Sequence, residues 1–191
     1  MTRTYTLKRR AESQAETSRR IVEAAVDLHG SVGPARTTLS MVAERAGVQR
    51  HTLYAHFPDE RSLLMACSGH RMEQDPLPGA EPWRKIEDRE ERLRAGLSAV
   101  YAWYERNAQL AACVLRDAEV HALVREINEL RMGAHFAAYH DVLGDGLRAK
   151  QRALLHLALS FYTWRTLSEA GLKTPAAVRL MVQAISAANA G

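Results

Sequence analysis

The stretch TTLSMVAERAGVQRHTLYAHF, Thr37 to Phe57, holds two short helical patterns joined at Ala46, Gly47 and Val48. Thr37 or Thr38 offers a hydroxyl to the free N–H groups of a helix start, and with Thr38 as the cap Met41, Val42 and Ala46 fall on one inward side. Gly47 takes up positive φ at little steric cost, Ala46 is small enough for two helices to cross closely, and Val48 packs beneath them. The next helix runs over Gln49 to His56; Pro58 and Asp59 end it and cap another through Leu63, Leu64, Ala66 and Cys67. Two helices joined so tightly predict that the second projects from the surface with its N-terminal residues leading, the form that enters a DNA major groove.

Outward on the N-terminal side, Ile21, Ala24, Ala25 and Leu28 recur at spacings of three and four, which predicts a helix beginning between Ala11 and Ser18 and ending at Gly30 to Pro34. Before it, Arg3, Lys8, Arg9, Arg10, Arg19 and Arg20 face only Glu12 and Glu16, a net of +4 over the first twenty residues. Such an arm is either a solvated tail or an anion-binding element.

On the other side, DPLPGAEP at Asp75 to Pro82 holds three prolines and a glycine, cannot continue a helix, and marks a domain boundary. Beyond it Leu93, Leu97, Val100 and Tyr104 form a stripe on Asp88 to Arg106, and Asn107 is expected to cap a further stretch to about Asp117. His121 to Leu143 is amphipathic and ends at Gly144 to Gly146. Gln151 to Leu167, apolar nearly all round, predicts one helix buried on two sides; Pro175 to about Asn189 predicts the last. No alternating strand pattern appears, so the fold class expected is all-α.

The bulk composition is that of an ordinary globular chain: 191 residues, 47% hydrophobic, 25% charged, net charge +4 and pI about 9.3. The charge permits an anionic partner without requiring one. Cys67 and Cys113 are too few and too far apart for a disulfide framework or zinc finger, and are expected to be free thiols. No apolar run spans a bilayer and MTRTYTLKRR lacks the core of a secretory signal, so a cytoplasmic protein without membrane contact is expected. The absence of G-x-S-x-G, H-E-x-x-H, P-loop and paired-carboxylate signatures argues against an enzyme, and no cofactor is expected. His135 and His140, five apart, do not share a helix face, so no metal site is expected either.

Gln49, Arg50, His51 and Thr52 lead the projecting helix. Arg50 suits a bidentate contact with guanine, Gln49 suits adenine, and Thr52, Tyr54 and His56 are placed for phosphates. Taken alone, these polar residues equally describe a solvated turn. The wider pattern resembles the N-terminal domain of the TetR family of regulators: Ile21, Ala24, Ala25 and Leu28; Gly33; Thr37 and Thr38; Val42 and Ala43; AGV at Ala46 to Val48; TLY at Thr52 to Tyr54; HF at His56 and Phe57; and LL at Leu63 and Leu64.

The resemblance implies a basic arm and helix start over 1–17, a three-helix helix-turn-helix domain over 18–75, and a C-terminal helical bundle over 83–191 that binds an effector and dimerises. It also implies a homodimeric repressor that leaves its double-stranded DNA operator on binding a small-molecule effector. The implied DNA contacts are Thr38, Gln49, Arg50, His51, Thr52, Tyr54 and His56, with Arg3 of the arm in an adjacent minor groove. Two positions depart from the family pattern: His51 stands where a small residue is frequent, and Glu60 where a phosphate-contacting Lys is frequent, with Arg61 beside it as a substitute cation.

The C-terminal half carries no shared motif. Tyr101, Tyr104, Phe136, Tyr139, His140 and Trp164, with Trp103, Leu110 and His156, have the chemistry of an apolar effector cavity with a few polar groups, although for any one of them burial tendencies favour packed core. The apolar helix and the small-residue stripe of the last two segments predict dimerisation through them, which sets two recognition helices ~34 to 36 Å apart.

Overall fold

The computed structural model describes residues 2–188, with side chains from Lys8 onward. Among these residues the fold is all-α, and none of its helices is long and apolar enough to cross a membrane. The chain divides into two compact units, Met1–Pro76 with Ala112–Glu129, and Leu77–Ala111 with Leu130–Gly191.

The first unit, the head, contains α1 (Thr2–Ser31), a 3-10 turn (Pro34–Arg36), α2 (Leu39–Ala46), α3 (Arg50–His56) and α4 (Glu60–Gln74). It also takes the end of α6 (Arg89–Val120) and the start of α7 (Ala122–Leu143). Helix α1 starts at Thr2, well before the expected window of Ala11 to Ser18. The apolar residues that marked the sequence pattern begin only at Ile21, whereas the polar segment ahead of them is exposed from Lys8 to Glu16 and carries i,i+3 and i,i+4 pairs such as Arg19 with Glu16 and Glu23.

Ile21, Ala24 and Ala25 of α1 close against Val42, Ala43 and Ala46 of α2, Leu53 of α3, Phe57, and Leu63 and Cys67 of α4. Leu53, Ile21 and Val42 are fully buried, so the head core rests on the residues whose spacing first marked the helices. A second apolar cluster joins Leu64 to Ala118, Val124 and Ile127. Cys67 and Cys113 are free and buried, and burial pushes the Cys67 thiol up to about 12, which keeps it protonated and inert.

The second unit holds α5 (Glu81–Arg84), the remainder of α6 and α7, α8 (Ala149–Leu159), α9 (Phe161–Glu169) and α10 (Thr174–Ala187). Its interior takes Leu93, Leu97, Val100 and Tyr104 from α6, Leu155 and Leu159 from α8, and Val178, Val182 and Ile185 from α10. Two expectations are corrected here. Asn107 does not start a helix: it is buried inside the continuous α6, where its side-chain amide donates to the Trp103 carbonyl one turn back at 2.9 Å. The single helix expected over Gln151 to Leu167 breaks at Ser160, whose extended backbone and hydroxyl, accepting from the Tyr162 N–H, restart the chain as α9.

Candidate nucleic-acid interface

Thr38 caps α2, its hydroxyl accepting the Met41 N–H at 3.2 Å, and the backbone is extended there as a cap requires. At the far end Gly47 sits at φ 64° and ψ 38°; its N–H meets the Glu44 carbonyl and the Val48 N–H meets that of Ala43, the Schellman arrangement. A side chain at 47 would meet no atom within 4 Å, so the glycine serves the left-handed turn and not close packing. Gln49 then caps α3 through its backbone, with no hydrogen bond from its side chain to the helix start. Asp59 and Ser62 form a reciprocal capping box on α4, and hydrogen bonds from Ser62 hold the Asp59 carboxyl below the usual range.

This scaffold turns Leu53 inward and leaves Gln49, Arg50, His51 and Tyr54 exposed on α3, with Thr52 and His56 half-buried beside them. Tyr54 is half-exposed although aromatic, and the His56 ring leans on Phe57 at 6.4 Å. Among the described residues Arg50 has no hydrogen-bond or ion-pair partner. Thr38 is exposed at the start of α2 while its hydroxyl serves the cap. The side chain of Arg3 lies outside the described residues.

Between α1 and α2 lies a set of charges that sequence reading did not identify. The Asp117 carboxylate, buried near the end of α6, accepts the Ala35 N–H at 2.9 Å and the Arg116 guanidinium at 2.8 Å; Arg116 also donates to the Val32 carbonyl. Burial pushes the Asp117 pKa up, but the hydrogen bonds from Arg116 and Ala35 and the charges of Arg116 and Arg36 outweigh it, so the carboxyl is held below the usual range. Gly33, at φ 99°, lies so close that a Cβ would collide with both Arg116 and Asp117. These contacts fix the chain between α1 and α2.

At the start of α4, Glu60, which departs from the family pattern, and Arg61 beside it are both engaged. Arg61 grips both carboxylate oxygens of Glu126, at 2.5 and 2.9 Å, and Glu60 stands 3.4 Å from His121. Arg61 is therefore held within the head and does not stand free as a substitute cation. His29, Thr37, Thr38, Leu39, Glu60 and His121 are among the residues lining a cleft of about 300 Å3 in this unit. Burial lowers the His29 pKa to about 4, against the opposing pull of Asp117. Only Gly33 gave a local signal of this set, because its partners are some 80 residues away in the chain.

In the second unit the aromatic residues expected around an effector are closely packed. The Tyr101 hydroxyl donates to the Ala158 carbonyl at 2.8 Å, that of Tyr104 to Leu159 at 2.6 Å, and that of Tyr139 to Pro78 at 2.6 Å. Burial raises all three phenol pKa values. Tyr104 packs on Phe161 and Trp164, while Tyr139 packs on Trp83 and Phe136. His140 faces His156.

Residues 21–67 match the family of bacterial regulatory proteins of the tetR type. An HTH-type transcriptional regulator of Mycobacterium tuberculosis is 41% identical over 54 residues, which are 28% of this chain and 29% of that protein. The HTH-type transcriptional regulator TtgR of Pseudomonas putida is 42% identical over 60 residues, 31% of this chain and 29% of its own length. The chain thus matches under a third of the length of these relatives. In fold the likeness extends over most of the chain. The transcriptional regulator FadR of Bacillus subtilis, in complex with stearoyl-CoA, superposes with a TM-score of 0.63 at 18% identity, over 87% of this chain and 96% of that one. A TetR-like transcriptional regulator of Rhodococcus sp. RHA1 gives 0.64 at 19% identity, over 92% and 96%.

Proposed function

We propose, from the premise that this chain belongs to the tetR family of bacterial regulatory proteins through residues 21–67, that it is a homodimeric repressor which leaves its DNA operator when a small-molecule effector binds. The observation that carries the DNA-binding reading is Arg50, an exposed guanidinium with no partner among the described residues, at the leading end of α3 directly after the left-handed turn at Gly47. Arg50 and Gln49 read base edges in the major groove, His51 lies beside them, and Thr38, Thr52, Tyr54 and His56 approach the phosphates. Arg3 and the other basic residues ahead of Ile21 add phosphate neutralisation.

Dimerisation is assigned to the final helices, α8 to α10, where Leu157, Tyr162 and Leu180 expose large apolar side chains. The effector is assigned to the second unit among Tyr101, Tyr104, Phe136, Tyr139, His140 and Trp164. Because the three tyrosine hydroxyls already donate to backbone carbonyls, these residues offer ring faces and favour an apolar ligand. An effector need only bind the DNA-incompetent arrangement more tightly to release the operator.

Selection of genomic fragments by the purified protein, followed by gel shifts across a salt series, tests this reading. A sequence-dependent shift that weakens steeply with salt is expected. Uniform affinity for all fragments, or no shift, refutes it. A panel of apolar ligands, with a long-chain acyl-CoA among them, then tests release.

A further inference from the structure

Spacing along α7 separates His140 from His135, and the structure gives His140 a different partner. The Nε2 of His140 lies 3.3 Å from the Nδ1 of His156 on α8, with the two rings inclined by only 23°. Their centroids are 5.2 Å apart, so the two nitrogens occupy facing edges, and in the neutral pair one ring donates its N–H to the other. His135 instead lies against Tyr139.

Two imidazole nitrogens bound at ~2.0 to 2.1 Å to one tetrahedral zinc stand about 3.3 to 3.4 Å apart. The observed separation matches that span. We propose that His140 and His156 form a two-histidine site for a borderline divalent transition metal of the Zn2+ class.

Imidazole nitrogen is the ligand type such ions prefer over magnesium and calcium. Both rings must present a lone pair. Neutral His140 does so with its proton on Nδ1, neutral His156 with its proton on Nε2, so binding to the neutral pair shifts tautomers without releasing a proton. Burial, and after it the charge of His156, lowers the His140 pKa, which favours the neutral form. Among the described residues no group of three or more His, Cys, Asp or Glu side chains is arranged for a metal, so the remaining positions fall to water or to an exogenous ligand. The exposure of His156 leaves room for them. The site requires neither the DNA-binding nor the effector assignment.

The test is titration of the metal-free full chain with Zn2+ alone at pH 7.5 by calorimetry, with Co2+ absorption as a spectroscopic check. One Zn2+ per chain is expected. His156→Gln, at an exposed position, and His140→Gln should each lose roughly tenfold or more in affinity, while His135→Gln retains it. Zn2+ should raise the Tm of the parent chain and of His135→Gln, and leave that of His156→Gln unmoved. Affinity should fall as the solution is made more acidic, because protons compete with the metal for imidazole nitrogen. No binding by the parent chain, or equal binding by folded His156→Gln, overturns the site.

Discussion

Arg50 on α3 and Arg61 on α4 belong to the same small unit, yet among the described residues one guanidinium has no partner while the other holds both oxygens of Glu126. The same contrast separates the outer face of α3 from the contacts between α1 and α2, where Asp117, Arg116 and Ala35 satisfy one another around Gly33. A charge matched inside the protein orients the chain; one left unmatched on a rigid helix is available to another molecule. Substitutions in the contacts between α1 and α2 are therefore expected to act on stability, and substitutions on the outer face of α3 on binding alone.

The largest effect concerns His29 and pH. Its folded pKa, about 4, lies below the ordinary value of 6.5, because burial disfavours the charged ring. Above pH 6.5 both folded and unfolded chains carry the neutral ring and no dependence arises. As pH falls toward 4 the unfolded chain takes up a proton that the folded one resists, so stability declines, by about 3 kcal/mol at the limit. Urea denaturation between pH 7 and 5, above the range where the paired carboxylates protonate, should show this slope, and His29→Gln should flatten it. An unchanged slope in that variant removes His29 from the account.

Next comes Asp117→Ala, which strips the Ala35 N–H and the Arg116 guanidinium of their shared acceptor. A loss of about 2 to 3 kcal/mol in unfolding free energy, measured by urea denaturation, is expected from the unsatisfied donors. Arg50→Ala is the counterpart on the outer face: about 1 to 3 kcal/mol of operator affinity lost, with preference relaxed at one base pair and the thermal midpoint unmoved. A drop in Tm for Arg50→Ala comparable to that of Asp117→Ala would abolish the distinction between the two regions.

The two regions also differ in how far they were legible from sequence. The turn, the cap and the face of α3 depend on residues within a few positions of one another, so Thr38, Gly47 and the spacing around Leu53 carried the signal locally. Asp117 meets Ala35 across 82 positions and Arg61 meets Glu126 across 65, and no helical period relates them. Asn107 misled for a related reason: as a residue type it favours caps, but a buried carbonyl one turn back satisfied it inside α6. The break at Ser160 was hidden because the flanking segments are both apolar enough to read as one helix.

The smallest expected effect probes the boundary between the two classes of charge. In Glu126→Gln the acceptor remains in shape but loses its charge, and Arg61, near the start of α4, is released from a strong ion pair. Because the pair is exposed on both sides, its removal should leave the denaturation midpoint close to that of the parent. If Arg61 then reaches a phosphate, the salt dependence of DNA binding should steepen by about 0.9 in the slope of log affinity against log salt, with affinity rising equally for operator and unrelated fragments. Sequence preference should not change, since a phosphate contact carries no base identity. A slope identical to that of the parent would show that α4 keeps Arg61 from the backbone whether or not Glu126 holds it, and that the partner of a charge is set in this head by helix position before pairing.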